Sequence, residues 1–288
     1  MPRLIELWHA DVRDGKRDCV PGDVLLRRVV AGVDWEARSR IVEGPAGRLD
    51  GAVLVLNRET PSGAMTAIEA SAAADRPDLL NDLTGWGLAL SKAAGAVAAQ
   101  VWRGRGHSDG LDRLGMELLR PWWRMDRAFP GEPVEPSVVS GYRLLDGSEV
   151  RPGAWADAHN RAFADHWRFS PRSEQELMAG RSPELCLMAV AADGSPAALT
   201  LCQVESYGHD LRPQPVGVIS SVGTLPTHRR LGLATSLVSE ALRRLQRLGA
   251  RHASLYVDGW NPMRAFDAYR KVGFELAFET EVWEATFR

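Results

Sequence analysis

The six residues Arg229-Arg-Leu-Gly-Leu-Ala234 have the make-up of an anion-gripping loop. An apolar stretch, Val216–Thr224, runs into them, and a long amphipathic stretch follows directly. That order places free backbone N–H groups and a helix N-terminus at one point, which is where a phosphate or pyrophosphate binds. Gly232 leaves the approach to the backbone open, and Ala234 keeps the next position small. Arg229 and Arg230 could add charge-assisted contacts. On the hexad alone, an ordinary basic helix start is equally open. A second cluster lies downstream. A strand ending near Val257 leads to Asn261 as a helix cap, Pro262 at the first helical position, and Tyr269 two turns into the helix. Gly273-Phe274 ends that helix.

The elements needed to hold these residues can be read from periodicity. Leu233, Leu237, Ala241, Leu245 and Leu248 fall on one stripe, with Arg243, Arg244, Gln246 and Arg247 opposite, so a helix follows the loop and Gly249 stops it. His252–Val257 reads as a strand, Pro262–Val272 as a helix, and Phe274–Phe278 and Val282–Phe287 as strands. Upstream, Tyr142–Leu145 is a strand, Ala154–Asp165 and Ser173–Ala179 are helices, and Glu184–Ala192 and Ala197–Ser206 form a hairpin about Asp193-Gly-Ser-Pro196. The first half carries Ala52–Asn57, Ala64–Ala70, Ala96–Trp102 and Trp122–Asp126 as strands, and Pro77–Ala94 and Gly110–Leu119 as helices. The same order thus occurs twice, which predicts a tandem repeat. The first copy has no glycine-bearing loop ahead of Pro77 and no clear opening in its first fifty residues. The proline-rich run Ala128–Ser137 divides the copies, giving domains 1–135 and 136–288.

Composition narrows the function. The 288 residues suit two ordinary domains, and the net charge of −2 gives no field that favours nucleic acid or an anionic membrane. The three cysteines lack C-x-x-C spacing and the seven histidines lack metal-ligand spacing, so no metal site is expected. Cys186 and Cys202 lie in apolar runs and read as inert thiols. No apolar run is long enough to span a bilayer and no signal peptide is evident, so a cytoplasmic protein is expected.

The two clusters together resemble the GCN5-related N-acetyltransferase family. The resemblance rests on Val222-Gly-Thr-Leu-Pro-Thr-His-Arg-Arg-Leu-Gly-Leu-Ala234, matching an R/Q-x-x-G-x-G/A loop. It rests also on Asn261-Pro-x-x-Ala265-x-x-x-Tyr269-x-x-x-Gly273-Phe274, and it covers about residues 141–288. The first half looks like a degenerate copy, so the whole is similar to the tandem type found among mycothiol synthases and antibiotic-modifying enzymes. The resemblance implies an α/β (α+β) fold of two similar domains, each a mixed, mostly antiparallel sheet flanked by helices. It implies acetyl-CoA as donor and a small-molecule primary amine as acceptor. The pyrophosphate would rest on Arg229, Arg230, Leu231, Gly232, Leu233, Ala234 and Thr235, and the pantetheine arm on Val222, Gly223 and Thr224. Asn261 would also touch the cofactor. Tyr269 would protonate the leaving thiolate, and the Val222 N–H would stabilise the oxyanion.

The family's strand glutamate falls on Val218, so the base does not carry over. Glu205 is the first substitute, followed by Asp258, His228 or a water chain. Asp165 or His166 could meet a substrate amine, or merely cap a helix end. Trp86, Trp102, Trp122 and Trp123 read as packing residues. A non-catalytic acyl-CoA sensor and a protein N-acetyltransferase are the alternatives, and the oligomeric state is open.

Overall fold

A computed structural model describes residues 2–20, 33–60, 63–129, 135, 139–205 and 215–287. Most of the proline-rich run, and Ser206 at the end of the expected hairpin, lie outside the described residues. The first half contains α1 (Pro2–Arg13), α2 (Trp35–Arg38), β1 (Ser39–Glu43), β2 (Leu49–Thr60), β3 (Gly63–Ala72), α3 (Pro77–Ala93), β4 (Ala98–Gly104) and β5 (Glu117–Ala128). The second contains β6 (Tyr142–Asp146), α4 (Ala154–Phe163), α5 (Glu174–Met178), β7 (Cys186–Ala191), β8 (Pro196–Glu205) and β9 (Val216–Thr224). It continues with α6 (Leu233–Arg247), β10 (His252–Asp258), α7 (Ala265–Lys271) and β11 (Glu275–Thr286).

All eleven strands join one mixed sheet in the order β1-β2-β3-β4-β11-β5-β10-β9-β8-β7-β6. The two copies exchange their last strands. β11 pairs with β4 and β5, while β5 pairs with β11 and β10. The repeat is exact at the level of hydrogen bonds. Val97 N donates to Ala64 O at 2.8 Å, as Arg251 N does to Pro215 O at 2.8 Å. Phe287 N donates to Val97 O, as Phe129 N does to Arg251 O. Hydrogen-bonded strands therefore cross the expected division between 1–135 and 136–288 in both directions.

Helices cover both faces. On the second half, α6 and α7 enclose a core with Leu187, Ile219, Leu237, Leu242, Leu245, Leu255 and Phe274, and α4 and α5 enclose another with Trp155, Leu177, Met188, Leu199 and Leu201. Leu233, Leu237, Leu242 and Leu245 are at most 1% exposed, each contributing about 1.5–3 kcal/mol by burial. That packing fixes where the N-terminus of α6 points. On the first half, α3 sets Leu79, Leu83 and Leu88 against Val53, Val55, Ile68 and Val101.

Several elements differ from expectation. Residues 105–116 form successive turns rather than a helix, and β5 begins at Glu117. Glycines 106, 110 and 115 all adopt positive φ there, which breaks a helix. Phe274–Phe278 and Val282–Phe287 are one strand carrying register shifts against β5. The chain opens with α1, whose Leu7, Trp8 and Val12 are buried. The last helix starts at Ala265, because Arg264 holds φ 50° and interrupts any start at Pro262. No helix among the described residues is long and apolar enough to cross a membrane.

Candidate functional site

The central feature is a strand that leaves its neighbour. β9 and β10 pair in parallel from Val216↔His252 to Ile219↔Leu255 and no further. The cause lies in β9 itself, where Ser220 is an extra residue in the register with β8. Ser220 Oγ donates to Leu201 O at 3.0 Å, and Thr200 Oγ1 donates to Ser221 O at 2.9 Å, so the bulge is held in place. Ser220, Ser221 and Val222 thus run along an opened edge beside Tyr256, Val257 and Asp258.

At the end of β9 the chain turns and enters α6. Arg230 and Gly232 adopt φ 69° and 87°, and Gly232 caps the helix with no side-chain hydrogen bond. No amide from Arg230 to Thr235 donates to a backbone carbonyl of the described residues. Six successive donors are therefore left for an outside acceptor, at the positive end of a fifteen-residue helix. Arg229 is engaged elsewhere. Its guanidinium donates to Asp165 Oδ2 and Oδ1 at 2.6 and 3.0 Å, to Ala162 O at 3.1 Å and to Thr224 O at 3.1 Å. Rather than reaching for an anion, it ties the loop to the end of α4.

α4 in turn lies directly on the opened strand. A Cβ on Gly223 would stand 2.7 Å from the Phe163 ring and 2.9 Å from Ala162 Cβ, so only glycine allows this approach. His166 packs edge-on against Phe163, with ring centroids 4.7 Å apart.

These parts line one cavity of about 1170 Å³. Val222, Gly223, Thr224, Arg229, Arg230, Gly232, Leu233, Ala234, Thr235, Asn261 and Tyr269 are all in its wall. Leu231 is half exposed outside the wall. Glu205 is not in the wall either. It ends β8 opposite Val216, at the closed end of the β9–β10 pair, because the strand splits only beyond Ile219. Asn261 caps a turn ahead of the helix, its Oδ1 accepting from Met263 N at 2.8 Å. Tyr269 is 8% exposed, and burial raises its phenol above the ordinary range.

The first half also contributes. Trp102 and Trp122 line the cavity and pack edge to face at 6.1 Å, so they are more than packing residues. Arg120 lines it too, pairing with Asp258 and lying 3.9 Å over Trp167. Arg168 pairs with Glu284 of β11. The exchange of last strands brings Trp102, Val282 and Arg120 side by side, which no reading of one half could reveal. Trp123 instead joins the core beside Phe266, and Trp86 packs on the α3 core. Cys186 and Cys202 are buried and free, and burial pushes the Cys202 thiol up to about 12.

The equivalent gap in the first half is filled. β3 and β4 part after Ala67↔Gln100. Arg103, 5% exposed, donates there to Ala70 O at 2.7 Å and to Thr84 Oγ1 at 3.1 Å, and burial lowers it to about 10. Gly15 O sits where a Cβ on Gly104 would be, and Lys16 Nζ donates to Ala72 O. Calorimetry is therefore expected to find one CoA per chain; two comparable sites would show that this plug opens.

Comparison with known proteins agrees with the geometry. Residues 153–274 match the profile of the acetyltransferase (GNAT) family. A mycothiol acetyltransferase of Kytococcus sedentarius is 32% identical over 190 residues, covering 60% of this chain and 60% of that protein. One from Nocardiopsis dassonvillei is 31% identical over 183 residues, covering 60% and 54%. The chain thus spans a little over half the length of these relatives. A GCN5-related N-acetyltransferase from Sphaerobacter thermophilus superposes with TM-score 0.82 at 22% identity, covering 99% of this chain and 92% of that one. A tandem GNAT protein from the clavulanic acid biosynthesis pathway gives 0.68 at 17% identity, covering 99% and 94%.

Proposed function

We propose that this protein, whose residues 153–274 match the GNAT acetyltransferase profile, moves an acetyl group from acetyl-CoA to a primary amine of a small molecule. One observation carries the reading. Amides of residues 230–235 with no backbone acceptor among the described residues, and an opened strand edge, meet at a single cavity of about 1170 Å³. Ligand pockets usually measure roughly 300–1,000 Å³, so this space is large enough for an extended cofactor.

The residues divide the work. The amides of 230–235 hold the pyrophosphate, and the free edge of Ser220–Thr224 pairs with the amide-bearing arm. Acetyl-CoA, when bound, supplies the activated thioester. The Val222 N–H faces the developing oxyanion, and Tyr269 holds the proton that the departing sulfur takes. Burial keeps that phenol protonated at neutral pH, which is the form a donor needs. Trp102, Trp122 and Trp167 add aromatic surface to the cavity wall, which suits a small acceptor. A cytoplasmic site of action belongs to the same reading.

Purified protein, acetyl-CoA and a panel of primary amines provide the test. Acceptor-dependent release of free CoA thiol is expected. Tight CoA binding without release from any amine would favour a sensor instead.

A further inference from the structure

The cavity wall holds four side chains able to take a proton at neutral pH: His166, His228, Asp258 and Asp267. Three are engaged. His228 Nδ1 is 2.9 Å from Tyr142 Oη, on the turn before the pyrophosphate loop. Asp258 pairs with Arg120 and accepts from Trp260 N at 2.9 Å. Asp267 pairs with Arg264 at 2.8 Å, beside the start of α7. The His166 ring makes no hydrogen bond to the described residues, and it is exposed on the cavity side.

Its position is set by packing rather than by chance. Phe163 rests on Gly223, His166 packs on Phe163, and Arg229 binds Asp165 next to it. Through Phe163 the ring is thus tied to Gly223 of β9, and it shares the cavity wall with the opened edge Ser220–Thr224. We infer that His166 is the general base that takes the proton from the acceptor's ammonium, in the role for which β9 offers only Val218. This rests on the acetyltransferase reading above.

The charges around the ring are mixed. On its own segment lie His159, Asp165 and Arg168; across from it lie Arg229 of the loop, Asp258 of β10 and Arg120 of β5. Although one side of the ring is open to the cavity, desolvation by the surrounding wall, helped by Arg229, outweighs the two carboxylates and lowers His166 below its ordinary range. The imidazole is then neutral at pH 7 and can accept. The step balances. The ammonium gives a proton to the imidazole, the freed lone pair attacks the thioester carbon, and the C–S bond breaks with its electrons on sulfur. The acceptor nitrogen loses two protons in all, one going to solvent from His166 and one accounting for the new thiol.

Two measurements test this. First, NMR titration of the full chain, with His166→Gln used to assign the ring signal, is expected to give a midpoint below about 6.5. A midpoint above about 7 would overturn the proposal whatever the acceptor is. Second, His166→Gln should lower kcat by about 10²-fold or more with KM for acetyl-CoA unchanged. Its rate should climb with pH up to the acceptor amine's own pKa, whereas the wild type levels off above the His166 midpoint. Wild-type kcat and profile in the variant would sink this inference alone. No turnover by the wild type with any amine would sink it together with the acetyltransferase reading.

Discussion

Tyr269→Phe is expected to lower kcat by about 10²–10⁴-fold while leaving affinity for CoA within about twofold. The substitution removes one oxygen from a buried ring and keeps the ring's packing against Phe274, whose centroid is 6.3 Å away. Burial alone shifts the phenol, with no hydrogen-bond partner among the described residues, so loss of the hydroxyl leaves no buried partner stranded. The whole effect should therefore appear in the chemical step. The phenol is already pushed above its usual range by burial. The wild type should then show no loss of activity on the alkaline side below about pH 10 that belongs to this group. Stopped-time assays of thiol release and calorimetry with CoA check the two halves of the statement. Equal losses in kcat and affinity would count against donation by Tyr269.

Gly232→Val should act on the other half of the site. It is expected to raise Kd for CoA by about 10–100-fold, since a β-branched residue at φ 87° carries about 1–3 kcal/mol of strain. The new side chain would also crowd the amides proposed to hold the pyrophosphate. The helix itself should survive, because α6 is anchored by leucines along its length rather than by its cap. Unchanged circular dichroism with weakened CoA binding is the expected pair of results. Loss of fold, or wild-type affinity, would each argue against this loop as the grip.

Much of the cofactor side was legible because it is local. The strand Val216–Thr224 has the bounds its composition implies, and the loop and α6 follow in one continuous stretch. What local patterns could not show was the use of each arginine. Arg229 reads as an anion ligand, yet Asp165, sixty-four residues earlier, claims it. Glu205 reads as near the site because it ends the preceding strand, but the bulge at Ser220 opens β9 at the far end. The acceptor side was hidden for a different reason. Trp102 reaches the cavity through β11 and Arg120 through β10 and β11, and pairing between strands so far apart in the chain leaves no periodic trace. Gly110–Leu119 reads as a helix because Leu111, Leu114 and Leu118 mimic its spacing, although the segment is turns followed by the start of β5.

The exchanged last strands bear on how the chain acquires its structure. β4 has β11 as its neighbour on one side, and β11 is made of residues 275–286. The first half leaves the ribosome with β4 carrying an unpaired edge, and β5 must wait for β10 and β11 before either side of it is covered. At ~5–20 residues per second, that edge stays exposed for many seconds of synthesis. Such sequence-distant pairing slows folding and invites edge-to-edge association between nascent chains. A cut in the 129–139 region would therefore yield two fragments that each lack a central strand, and recovery of either should depend on the presence of the other.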